Sequence, residues 1–116
     1  MDAIRLSLSL QRVIARYART FAPARIILFG SHAKGSHGPE SDVDLLVVTH
    51  TAVEGFEFLR HARQLARDCF PPIDIVFAST EEVEQATVAS NPFLASILAT
   101  GITVYPRAKG ESSSVG

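Results

Sequence analysis

Ala24-Arg25-Ile26-Ile27-Leu28-Phe29-Gly30-Ser31-His32-Ala33-Lys34-Gly35, followed by Ser41-Asp42-Val43-Asp44-Leu45-Leu46-Val47-Val48, is the stretch that decides the fold. Arg25 through Phe29 is a short apolar run stopped by Gly30, the pattern of a buried strand. Residues 31 to 40 are rich in Ser, Gly and His and read as a loop with one helical turn near Ser31. Val43 through Val48 form a second apolar run, interrupted near its start by Asp42 and Asp44. The link between the two runs is too short for a helical crossover, so the strands are expected to be antiparallel.

Working outward, Leu6, Leu10, Val13, Ile14 and Tyr17 form a helical stripe, with Arg12, Arg16 and Arg19 on the outer face, and Pro23 ends the helix. Downstream, Thr51 and Glu54 fit a capping box for a helix whose apolar face is Leu59, Ala62, Ala66 and Cys69. Arg60, Arg63 and Arg67 lie on its outer side, and Pro71-Pro72 breaks it. Ile73 to Phe77 reads as a third strand, joined to the second through a full helix and so expected to be parallel to it. Ser79 and Glu82 fit a second capping box. Asn91-Pro92 is a helix start, Gly101 the matching stop, and Ile102 to Tyr105 a short last strand. The expectation is an α+β fold, a mixed β-sheet packed against helices. It would occupy one domain over residues 1–108, with a flexible tail at 109–116.

Composition narrows the function classes. With 47% hydrophobic and 20% charged residues among 116, the chain is neither wholly disordered nor fibrous. Eleven basic residues against twelve acidic ones give a net charge of −1, which argues against nucleic acid as a direct partner. A single cysteine, Cys69, forms no internal disulfide and no CxxC metal set, and reads as a small core residue in a reducing setting. No apolar run approaches the roughly 20 residues needed to span a bilayer. The N-terminus lacks a basic segment followed by an apolar stretch, so a cytoplasmic location is expected.

The chemistry concentrates in the acids. A strand sends residues i and i+2 to one face, so the carboxylates of Asp42 and Asp44 point the same way. Asp74 is a lone charge between Ile73 and Ile75. Anions side by side repel, and burying them is costly unless a cation is present. If the strands are neighbours, three carboxylates converge, and such hard oxygen ligands suit Mg²⁺ or Mn²⁺ rather than Zn²⁺. Any one of them alone reads as a turn cap or a strand-end residue facing water. Three acids in two apolar strands favour a site.

Gly30 lets backbone approach a ligand, and a helix starting at Ser31 aims free N–H groups at an anion. The Ser31 hydroxyl and the Lys34 charge complete a cradle for a triphosphate. Taken alone, the same residues read as a plain strand-to-helix turn with Ser31 as N-cap. A Walker A loop is excluded, because Ser36 follows Gly35 where that motif requires Lys. His32, His37, His50 and His61 show no metal-ligand spacing and read as surface residues, with nucleotide contact left open for His32 and His37. Ser31 has no partnered His/Asp order suggesting a hydrolase. Arg60, Arg63 and Arg67 read as a solvated helix face, or alternatively as a partner-binding surface.

The run Leu28 to Gly35 followed by Ser41-Asp42-Val43-Asp44-Leu45-Leu46-Val47 resembles the signature of the DNA polymerase β-like nucleotidyltransferase superfamily. Within it, the chain is similar to the minimal nucleotidyltransferases (MNT), partners of HEPN proteins in toxin–antitoxin pairs. The resemblance extends to Asp74 as third carboxylate and spans most of residues 24 to 105. It departs at Lys34, where the family commonly has Arg; Lys keeps the charge but loses the bidentate fork. The resemblance implies two Mg²⁺ or Mn²⁺ ions held by Asp42, Asp44 and Asp74, acting on the α-phosphorus of ATP. Asp74 would also help deprotonate the acceptor hydroxyl, and Gly30, Ser31, Lys34 and Ser41 would bind the nucleotide. It implies AMP transfer to a hydroxyl of a HEPN-domain toxin, with homo- and hetero-oligomers both open. The alternatives are a non-catalytic antitoxin that binds nucleotide and partner, and a small-molecule nucleotidyltransferase.

Overall fold

The computed structural model describes residues 6–35, 42–52 and 56–106. Its elements run α1 (Leu8–Phe21), β1 (Arg25–Phe29), α2 (Ser31–Lys34), β2 (Val43–Thr49), α3 (Glu57–Leu65), β3 (Ile73–Ser79), α4 (Thr80–Gln85), α5 (Pro92–Thr100) and β4 (Ile102–Tyr105). The four strands form a mixed sheet in the order β3-β2-β1-β4. β1 is antiparallel to both β2 and β4, and β2 is parallel to β3, as the lengths of the connections demand.

Strand alternation sorts the core into two layers. Ile26, Leu28, Val43, Leu45 and Val47 face α1 and α3, where Leu10, Val13, Ile14, Tyr17 and Ala62 meet them. Ile27, Leu46, Val48 and Ala78 face the other way, against Leu94 and Ile97 of α5. β2 is therefore buried on both faces, which is why its sequence is continuously apolar from Leu45 to Val48. Asp44 is the exception, and it points to the α5 side.

The local signals at the helix ends act as their chemistry dictates. The Ser79 hydroxyl accepts from the Glu82 N–H while the Glu82 carboxylate accepts from the Ser79 N–H, a complete capping box. Asn91 caps α5 through its side chain, with Pro92 in the first turn and Gly101 after the last.

Several boundaries differ from the sequence expectation, β2 and β3 running on to Thr49 and Ser79 among them. α1 starts after its cap Ser7, so Leu6 packs on the core from outside the helix. α3 begins at Glu57 with Phe56 as N-cap and no side-chain cap bond; Thr51 instead offers its carbonyl to the Thr49 hydroxyl at 2.7 Å. Its far end tightens into shorter-range bonds, Arg67 N–H to the Gln64 carbonyl and Cys69 N–H to the Ala66 carbonyl, so Cys69 lies past the helix although it is buried with its face. Gly30, not Ser31, is the N-cap of α2. Glu54, His37, Ser41 and the tail at 109–116 lie outside the described residues.

Tyr17 is wholly buried, and its hydroxyl donates to the Ala62 carbonyl at 2.7 Å, tying α1 to α3. Tyr17→Phe is expected to cost about 1 kcal/mol, read as a lower urea midpoint with unchanged slope. The backbone bond from Ala66 still reaches that carbonyl, which keeps the loss modest.

Candidate active site

The acids meet through sheet register. Asp44 pairs with Asp74 across the parallel β2–β3 ladder, and with Phe29 across the antiparallel β1–β2 ladder. Partners in register share a face, so Phe29, Asp44 and Asp74 form one row on the α5 side of the sheet. Asp42 stands exposed just ahead of β2. Two successive strands thus deliver charge to the same end of the sheet, the end where β1 finishes at Phe29 and Gly30 turns the chain.

Gly30 is required there for two separate reasons. Its φ is +79°, a region side chains avoid. A Cβ placed on it would run into the Asp44 Oδ2 and lie 3.2 Å from the Asp44 Cγ. The carboxylate is therefore seated directly against the backbone that opens α2. The Gly30 carbonyl accepts from the Ala33 and Lys34 N–H groups at 3.1 and 3.2 Å, which closes the single turn of α2.

The electrostatics single out Asp44. Its carboxyl is held above the usual carboxylate range, first by burial, then by the negative charges of Asp74 and Asp42, with His32 pulling the other way. This is the behaviour of an anion with too little positive charge around it. Among the described residues no three His, Cys, Asp or Glu side chains lie close enough together to hold an ion as they stand. The ladder brings Asp44 and Asp74 side by side, and Asp42 flanks them.

The other sequence-predicted residues are placed as follows. Ser31 is the first residue of α2 and half-buried, beside Gly30. Lys34 is exposed at the last position of that turn. His32, read from sequence mainly as a surface residue, is half-buried on α2 and acts on Asp44. Arg60 and Arg63 are exposed along α3 and Arg67 is exposed in the turn that follows it, on the opposite side of the sheet from the acids. A cleft lined by Thr20, Phe21, Glu57, Phe58, Arg60 and His61 lies on that opposite side as well. The sequence did not single out Phe93, whose ring meets Phe29 edge to face at 5.9 Å. No local signal marks it, because the contact joins the end of β1 to the start of α5.

The acids and the Gly-Ser turn thus gather at one end of a mixed sheet. The family model "Polymerase beta, Nucleotidyltransferase" matches residues 11–109. The chain belongs to that family, whose reaction is nucleotidyl transfer, in agreement with the resemblance to minimal nucleotidyltransferases. Among solved structures it is similar to a toxin–antitoxin complex crystallised with AMP-PNP, at 20% identity and a TM-score of 0.58, over 88% of this chain and 77% of that one. It is also similar to a nucleotidyltransferase candidate from Sulfolobus solfataricus, at 18% identity and a TM-score of 0.52, over 87% of this chain and 80% of that one. At these identities the likeness concerns the fold. No curated relative matches the chain in sequence. No helix among the described residues is long and apolar enough to cross a membrane.

Proposed function

We propose that the chain is a Mg²⁺- or Mn²⁺-dependent nucleotidyltransferase of the cytoplasm that moves AMP from ATP to a hydroxyl of a partner protein, a HEPN-domain toxin, and so serves as its antitoxin. One observation carries the reading: Asp44 and Asp74 stand in register on neighbouring strands, with Asp44 seated against Gly30. The similarity to a toxin–antitoxin complex with AMP-PNP supports the choice of nucleotide and of a protein partner.

The donor set fits a divalent cation. Its atoms are hard carboxylate oxygens, and the repulsion that lifts Asp44 is what positive charge there would relieve. Asp42, Asp44 and Asp74 would hold two ions. Bound there, they would stabilise negative charge on the attacking and leaving oxygens at the α-phosphorus. The N–H groups opening α2 and the Ser31 hydroxyl would hold the β- and γ-phosphates, helped by Lys34 and Ser41. Asp74, exposed on the edge strand β3, is the carboxylate an incoming hydroxyl reaches, and it would take that proton. The hydroxyl oxygen then bonds to the α-phosphorus as the bond to the β-phosphate breaks, and pyrophosphate leaves with the electron pair.

The test uses labelled ATP, Mg²⁺ and the candidate partner, with the adduct read by intact mass. Asp74→Asn is expected to keep the fold, ATP binding and partner binding while transfer falls about a hundredfold. If this variant neutralises the partner as well as the wild type, with no adduct in either case, the protein acts by binding alone. Label appearing on an added small-molecule hydroxyl acceptor instead of the partner would make it a small-molecule nucleotidyltransferase.

A further inference from the structure

We infer that Phe93, in the first turn of α5, is the platform on which the nucleobase of the substrate stacks. The inference rests on the nucleotide site proposed above and adds to it the group that recognises the base. Phe93 is 55% exposed, although its helix is otherwise anchored by Leu94 and Ile97 at 4% and 3%. It therefore offers an open aromatic surface on a fixed support, with the first turn tied down by the Asn91 side chain.

Its position follows from the ladder. Phe29 pairs with Asp44, and ladder partners stand roughly 5 Å apart. The Phe93 ring centre lies 5.9 Å from that of Phe29, the rings inclined at 85°. Phe93 thus touches a residue that is itself the ladder partner of Asp44, on the same side of the sheet. A nucleotide with its α-phosphate at the acids holds its base one ribose away, which makes the neighbouring aromatic ring the candidate to meet it. Phe29 sets the orientation of Phe93 by its edge-to-face contact and walls the path between base and phosphate. Stacking supplies affinity, and every base has a face to stack.

The experiment compares ATP with inorganic tripolyphosphate, which carries the charge but no base, each titrated with Mg²⁺ into wild type, Phe93→Ala and Phe93→Trp. Phe93→Ala is expected to weaken ATP about tenfold or more and to leave tripolyphosphate unchanged. The chain has no tryptophan, so Phe93→Trp adds a single emitter at the platform. Its fluorescence should respond to ATP and not to tripolyphosphate, with ATP affinity kept. Equal ATP affinity in wild type and Phe93→Ala overturns the inference, as does an emission change that tripolyphosphate matches. If Phe93→Ala loses both ligands through misfolding, the Phe93→Trp emission decides alone. Wild type that binds tripolyphosphate but not ATP overturns the stacking platform and spares the phosphate site. Wild type that binds neither overturns both.

Discussion

Asp44→Asn is expected to reduce nucleotidyl transfer by on the order of 10³-fold or more while leaving the metal-free protein at least as stable as wild type. The two effects have one cause. Asp44 lies between Asp42 and Asp74 in charge terms, and its ionised form is disfavoured by burial and by both neighbours. The amide removes that charge with almost no change of shape, so repulsion in the folded state falls. It also removes the carboxylate that rests against Gly30, and with it the charge that would hold a cation beside the phosphates. Thermal melts with and without Mg²⁺ and ATP check both sides. Wild type should gain melting temperature from the pair, and the variant should start at or above wild type and gain nothing. A variant that melts well below wild type without metal would show Asp44 to be structural. One that keeps the metal-dependent gain would move the site elsewhere.

Gly30→Ala should be damaging in both respects at once. Adding a Cβ at φ +79° and ψ −155°, a region essentially confined to glycine, costs on the order of 1 kcal/mol or more of backbone strain on its own. The same Cβ would occupy the place of the Asp44 carboxylate, so either the strand end or the carboxylate must shift. Total destabilisation of about 1–3 kcal/mol is expected in urea melts. A shift of about 1 Å in a positioned carboxylate lowers transfer on the order of a hundredfold. Gly35→Ala is the comparison without the contact, at a glycine in the milder left-handed helical region. Gly35 has φ +76° but nothing within 4 Å of an added Cβ. It should lose only the strain energy and retain transfer activity. Equal transfer by the two variants would show that the close approach of Asp44 to Gly30 is unimportant for catalysis.

What could be read in the sequence was whatever depends on neighbours along the chain. Alternation and apolar runs located β1 and β2, because a strand buried on both faces needs continuous Leu, Ile and Val. The Ser79–Glu82 box, Asn91-Pro92 and Gly101 marked helix ends, because capping bonds span only a few residues. Strand directions followed from the lengths of the connections. The Gly-Ser turn and the Asp-x-Asp pair were visible for the same reason, each lying within a single short segment. The start of α3 was not, since Phe56 caps it without a side-chain bond and leaves no residue-type signal.

The site itself needed the sheet. That Asp74 stands beside Asp44 depends on the β2–β3 register, which the packing of Leu45 and Ile75 on one face and of Leu46 and Val76 on the other holds in place. That Gly30 must be glycine depends on the Asp44 carboxylate resting against it from the next strand. The influence of His32 on Asp44 and the contact of Phe93 with Phe29 likewise join segments distant in sequence. The sequence by itself determined which residues carry charge and roughly where most strands and helices lie. Only the tertiary structure decided which of those charges face one another, because a single step of register would have turned Asp74 to the opposite face of the sheet.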